Sequence, residues 1–189
     1  MDDRALLSAI ARKDTRAFET FYHRYEMRLM RYLTGIVGDP LVAEDLVVEV
    51  MWTVWQNAHR FRNHASVSTW VMGIARNKAF DFLRRHKPTI VLDDSTLMEP
   101  YMPSLLDQIE VLEKVRLFTR AFLRLDPIHR EVLELAFVEE MSYTEIAALI
   151  GCPVNTVKTR VYYARRYLRQ HLRAMESRGA RTDRAPRQM

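Results

Sequence analysis

The chain has 189 residues, 48% hydrophobic and 28% charged, with a formal charge of +5, which suits one large or two small packed bodies and a polyanionic partner. One cysteine, Cys152, excludes an intrachain disulfide framework. The acidic start MDDRALLSAI is no secretory signal and no run reaches about 18 uncharged apolar residues, so a cytoplasmic protein without membrane insertion is expected.

The elements read as helices throughout. Thr15 to Val37 is amphipathic, with Phe18, Phe21, Tyr25, Leu29 and Leu33 spaced by three and four. Gly38-Asp39-Pro40 stops that helix and starts another over Leu41 to Ala58, with Asp39 as cap and Pro40 in the first turn. An irregular loop follows from Phe61 to Ser68, and Ser68 is placed to cap a third helix from Thr69 to about Arg85.

Pro88 to Glu113 contains no Lys or Arg, but holds Asp93, Asp94, Glu99, Asp107, Glu110 and Glu113 together with Pro88, Pro100 and Pro103. Proline removes a backbone donor and disfavours helix before it, so the stretch to about Ser104 reads as an extended acidic linker. Helix resumes from about Leu106 to Leu125, and Asp126-Pro127 repeats the cap-plus-proline start of a helix to about Glu139.

Then comes MSYTEIAALIGCPVNTVKTRVYYARR. Ser142 and Glu145 have capping-box spacing, Met141 is positioned to staple against Ile146, Gly151 suits a left-handed helix end, and Pro153 suits the first turn of the next helix. That helix directs Val157, Val161, Ala164, Leu168 and Leu172 to one face. Two helices joined this way make a helix-turn-helix. Its outer face carries Asn155, Lys158, Tyr162, Arg165 and Arg169, with Thr159 and Arg166 beside them, and no Asp or Glu occurs from Ile146 to Met175. Phosphates account for the missing acids, and Asn, Lys and Arg supply donors for base edges in a major groove.

The same stretch resembles the region 4 helix-turn-helix of bacterial extracytoplasmic function (ECF) sigma factors. AFETFYHRYEMRLMRYLTGIVGDPLVAEDLVVEVMWTVWQNAHRF and STWVMGIARNKAFDFLRR resemble sigma region 2, in the same order as in the family. The likeness covers roughly residues 17 to 174, with two departures: Val48 stands where Gln is usual, and Asn155 where Gly is common. It implies an all-α chain of two small helical domains: residues 1–87 as region 2, 88–105 as acidic linker, 106–175 as region 4, and 176–189 as a basic flexible tail.

By this resemblance the chain is a sigma subunit of core RNA polymerase that reads promoter DNA, assists opening, and is held in check by an anti-sigma factor. It is expected to be monomeric when not complexed, to need no cofactor and to catalyse nothing. Glu44, Asp45 and Glu49 are the expected polymerase-docking acids. The minus-ten element falls to Phe61, Asn63, His64, Ser66, Ser68, Trp70, Arg76, Asn77, Lys78, Asp81, Arg84 and Arg85. Phe61 and Trp70 fit two roles, core packing or base stacking. The minus-thirty-five element falls to Asn155, Thr156, Lys158, Thr159, Arg160, Tyr162, Arg165 and Arg166.

The residues themselves point away from catalysis: the six histidines are scattered, and no zinc spacing or Gly-rich phosphate loop occurs. The adjacent pairs Glu44-Asp45 and Glu139-Glu140 read as solvated or partner-facing, Trp52 and Trp55 as core or interface packing, and Cys152 as a packed thiol. Two other readings compete. A stand-alone helix-turn-helix regulator explains the basic helix but not the acidic helix in the other block. A scaffold that binds only protein predicts no DNA binding by the C-terminal block.

Overall fold

The computed structural model describes the backbone of residues 2–63, 65–86 and 107–182, with side chains in the last span from 114 to 174. His64, the linker 88–105 and the end of the tail therefore lie outside the described residues.

The N-terminal block has four helices. Helix α1 (Asp3–Ala11) was not foreseen, although Asp2 caps it by accepting the Ala5 N–H at 2.7 Å and Leu6, Leu7 and Ile10 fill the core. Helix α2 (Thr15–Val37) has the expected bounds, because Asp14 accepts from the Arg16 and Ala17 N–H groups at one end and Gly38 turns the chain at the other. Helix α3 spans Pro40–Asn57 behind its Asp39 cap, and a short 3₁₀ turn covers Ala58–Arg60. Helix α4 spans Val67–Arg85. Its cap is Ser66, not Ser68: Ser66 Oγ accepts the Thr69 N–H at 3.0 Å. Burial of Val67 draws that residue into the first turn and moves the start back.

The central α2 packs on α1, α3 and α4. Phe21, Leu29, Leu33 and Ile36 are fully enclosed there, each contributing about 1.5–3 kcal/mol by leaving water.

The C-terminal block comprises α5 (Asp107–Leu123), α6 (Pro127–Leu133), α7 (Tyr143–Ile150) and α8 (Val154–Thr182). The expected single helix to Glu139 instead widens after Leu133 into a π-helical turn over Glu134–Val138, closed by the Glu139 N–H to the Glu134 carbonyl at 2.9 Å. Asp126 does not cap α6 with its side chain; its carbonyl accepts the His129 and Arg130 N–H groups instead. Helix α8 extends past Glu176, so the stretch read as a flexible tail begins as helix. No strand occurs among the described residues, and the fold is all-α.

The two blocks touch, α2 against α6 and α4 against α7. Gly35 permits the first contact: a Cβ there would lie 2.7 Å from Glu134 Oε1.

Candidate nucleic-acid interface

The helix-turn-helix is built by local chemistry. Ser142 Oγ accepts the Glu145 N–H at 3.2 Å, and Glu145 Oε2 accepts the Ser142 N–H at 2.8 Å, completing the capping box. Hydrogen bonds from the Ser142 hydroxyl and N–H hold the Glu145 carboxyl below the usual range. Helix α7 ends at Gly151 with φ +70°, a conformation that a Cβ disfavours. Pro153 precedes the next helix and does not enter it; its carbonyl accepts the Thr156 N–H at 2.9 Å as α8 begins at Val154.

Val157, Val161 and Ala164 are buried and Leu168 packs at the edge of the core. This orientation leaves Asn155, Lys158, Thr159, Tyr162, Arg165, Arg166 and Arg169 exposed, while Thr156 and Arg160 are half-buried. Thr159 Oγ1 donates to the Asn155 carbonyl at 2.9 Å, so its hydroxyl proton is engaged within the helix. Arg165 lies over the exposed Phe137 ring, 5.7 Å from its centroid, which limits the arginine's freedom. Cys152 is half-buried in the turn, its Sγ 3.6 Å from the Pro153 carbonyl.

In the N-terminal block, the loop before α4 and α4 itself bring most of the expected minus-ten residues together. Phe61 and Trp70 are half-buried with ring centroids 5.5 Å apart, so each packs on the other and on the core. Asn63 takes a left-handed φ of +57°, Ser66 is engaged as a cap, and Ser68 is half-buried. Asn77, Arg84 and Arg85 are exposed; Arg84 pairs with Asp81, and Arg85 Nε donates to the Asp81 carbonyl at 3.2 Å. Arg76 departs from the group. Its Nε donates to Glu131 Oε1 of α6, and its guanidinium lies 4.9 Å from the Phe80 ring centre.

On α3, Asp45, Val48, Glu49 and Trp52 share one exposed face at helical spacing, with Glu44 beside them. Trp52 is 61% exposed and so is no core residue, whereas Trp55 packs edge-on against Phe18 at 5.1 Å. Lys78 of α4 reaches back to Glu49.

Sequence reasoning missed a second charged cluster, between the blocks. Glu139 is not solvated: its side chain is 1% exposed and accepts from Arg28 and Arg31 of α2. Glu131 is fully buried against Arg76. Burial drives its carboxyl upward, against the opposing pull of Arg76, Arg160 and the Tyr32 hydroxyl. Burial also pushes Glu134 up to about 7 and lowers Arg130 to about 10. No local spacing signals these pairings, because each joins residues from opposite blocks.

A capped helix-turn-helix with an acid-free outer face, packed on a second helical block, defines an all-α DNA-binding protein of two parts. The model for Sigma-70 region 2 matches residues 21–89 and that for Sigma-70 region 4 matches residues 116–168. The chain is 33% identical over 170 residues to the ECF RNA polymerase sigma factor RpoE of Cereibacter sphaeroides, covering 89% of this chain and 93% of that one. It is 27% identical to the ECF sigma factor SigW of Bacillus subtilis, covering 88% and 95%. The chain belongs to the ECF RNA polymerase sigma factors, and its function is that of a sigma subunit in transcription initiation.

Among solved structures, CnrH in complex with the cytosolic domain of CnrY is similar with a TM-score of 0.66 at 25% identity, covering 91% of this chain and 97% of that one. The sigma factor RpoE of Bartonella quintana, in complex with the anti-sigma factor NepR, shares the fold with a TM-score of 0.65 at 24% identity, covering 82% and 98%. Among the described residues, no helix is long and apolar enough to cross a membrane.

Proposed function

We propose that the two blocks divide the work of initiation, with residues 1–87 docking on core polymerase and handling the minus-ten element while residues 106–175 read the minus-thirty-five element. The observation that carries this reading is the outer face of α8, where Asn155, Lys158, Arg165 and Arg166 stand exposed without a carboxylate among them. Phosphate contacts set the register, and Asn155 or an arginine reads base edges.

On α3, Glu44 on one side and Asp45 with Glu49 on the other flank an apolar strip of Val48 and Trp52, which suits a basic helical partner with apolar side chains between its charges. That partner is the core enzyme. In the loop before α4, Phe61 and Trp70 offer ring edges to an unstacked base, Asn63 and Ser68 offer polar groups, and Arg84 and Arg85 attract the strand's phosphates. The acidic linker 88–105 follows the nucleic-acid path through the polymerase. Nucleotide addition belongs to the polymerase, and this chain acts in the cytoplasm as one non-catalytic copy per enzyme. The complex of CnrH with CnrY supports control by a protein partner, in this reading an anti-sigma factor.

Transcription by purified core RNA polymerase on a randomised promoter library, with and without the protein, tests the reading. Selective starts that require the protein support it and reveal both elements. Absence of stimulation together with absence of core binding would favour a stand-alone regulator.

A further inference from the structure

Among the described residues three cations lie over aromatic rings, and two of them have a polar anchor as well. Lys13 Nζ donates to the Trp55 carbonyl at 3.0 Å, and Arg76 Nε donates to Glu131. Arg165 differs. Its side chain has neither an ion pair nor a hydrogen bond among the described residues, and what it meets there is the Phe137 ring, centred 5.7 Å away.

The widened turn after α6 puts that ring in place. Leu133 and Leu135 are buried, whereas Phe137 is 56% exposed and Val138 is exposed beside it. The Glu139 N–H reaches five residues back to the Glu134 carbonyl, and the Met141 N–H closes the turn on the Leu135 carbonyl at 2.9 Å. A π-helical turn holds one residue more than an α-helical turn, which shifts the side chains that follow by about 100° around the axis. Phe137 thus stands outside the core, at the rim of the outer face of α8.

We propose that Phe137 is a positioning residue for duplex reading: its ring holds the Arg165 guanidinium ready for a backbone phosphate at the minus-thirty-five element. The inference rests on the outer face of α8 as the surface that reads the duplex.

An arginine gives up rotamer freedom when it grips a phosphate, and a ring that already restricts it removes part of that cost. The ring does so without occupying any N–H donor. A carboxylate in its place would restrain the arginine too, but would take up the donors and repel the phosphate. Position along the helix selects phosphate over base. The N-terminal residues of a recognition helix face base edges. Arg165 lies about three turns and 16 Å beyond Val154, where the helix has passed the bases and meets the backbone.

Binding of the full chain, assembled on core polymerase, to a fluorescein-labelled duplex selected from the randomised promoter library tests this across a salt series. Phe137→Leu should weaken binding about two- to fivefold and retain the slope of log affinity against log salt, because the charge still reaches its phosphate. Arg165→Gln should weaken binding further and reduce that slope by about 1. In the Arg165→Gln chain, Phe137→Leu should add nothing. Phe137→Trp should bind at least as tightly as the natural chain. Phe137 lies outside the core cluster, so thermal melting should be the same across the set.

No loss from Phe137→Leu overturns the proposal. An equal loss in both backgrounds also overturns it, because the ring would then touch DNA itself. If Arg165→Gln changes nothing while Lys158→Ala weakens binding, the proposal falls and α8 remains the reader. If neither substitution matters, the reading of α8 falls with it.

Discussion

Lys78 of α4 donates to Glu49 of α3 at 2.8 Å, so a residue on the exposed acidic face of one helix is tied to a residue on the basic run of the next. In the proposed division of labour, the polymerase-docking surface and the minus-ten surface share this one ion pair. In that division, engagement of Glu49 by a basic partner should release Lys78 toward DNA and so couple the two proposed binding events.

Glu49→Gln should therefore weaken association with core polymerase while hardly affecting folding. Both side chains are partly exposed, and pairs of that kind contribute no more than about 1 kcal/mol. Thermal melting of the free chain should be nearly unchanged while titration against core enzyme reports the loss. A large drop in melting temperature with intact core binding would reverse these roles.

The capping box should hold the first helix of the helix-turn-helix. Ser142→Ala removes the acceptor of the Glu145 N–H and one donor to its carboxylate, at a cost of about 1 kcal/mol. Differential scanning calorimetry should show a lower transition for the C-terminal block, and affinity for double-stranded promoter DNA should fall because α8 loses its support.

On α8, two substitutions should separate grip from reading. Lys158→Ala should weaken binding to every sequence alike and reduce the slope of log affinity against log salt by about 1. Asn155→Ala should instead relax preference at one promoter position, by about 1–3 kcal/mol, with the salt slope retained. Equal losses on all sequences for Asn155→Ala would make it a phosphate contact.

The contact between α2 and α6 should depend on pH through Glu134, which packs on Gly35. Burial raises its carboxyl to about 7, with Arg31 of α2 opposing and Glu139 assisting; released, it ionises at its ordinary 4.5. Formation of the contact thus takes up a proton. It is favoured at low pH, weakens as pH climbs from about 4.5 to about 7, by up to about tenfold per unit, and is flat above. Glu131, raised by burial against Arg76, Arg160 and Tyr32, acts with the same sign. Scattering between about pH 5 and about pH 8 should show this trend, and Glu134→Gln should flatten it. An unaltered profile in that variant would assign the proton elsewhere.

Much of the fold was legible because it is locally encoded. Asp14, Asp39, Ser142 with Glu145, and Gly151 sit at helix ends where their chemistry belongs, and the bounds of α2 and α7 follow from them. Ser68 was read as the cap of α4, but burial of Val67 within the first turn puts the cap at Ser66. The exposed face of α8 was readable because its buried stripe is regular. Glu139 was read as solvated or partner-facing because the arginines that hold it lie more than a hundred residues earlier in the chain and no periodicity connects them. The pairing of Arg76 with Glu131 was not legible for the same reason: Glu131 arrives from the other block.

Helix α1 has a practical consequence. The match to Sigma-70 region 2 begins at residue 21, yet Leu6, Leu7 and Ile10 are as deeply enclosed as any residue within it. The Tyr25 hydroxyl donates to Asp3 at 2.6 Å, and Arg24 pairs with the same carboxylate. A fragment cut at the family boundary would carry an open apolar trough along α2 and would aggregate or recruit whatever covers it. Any dissection of the chain into separately expressed halves should begin its first half at Asp2.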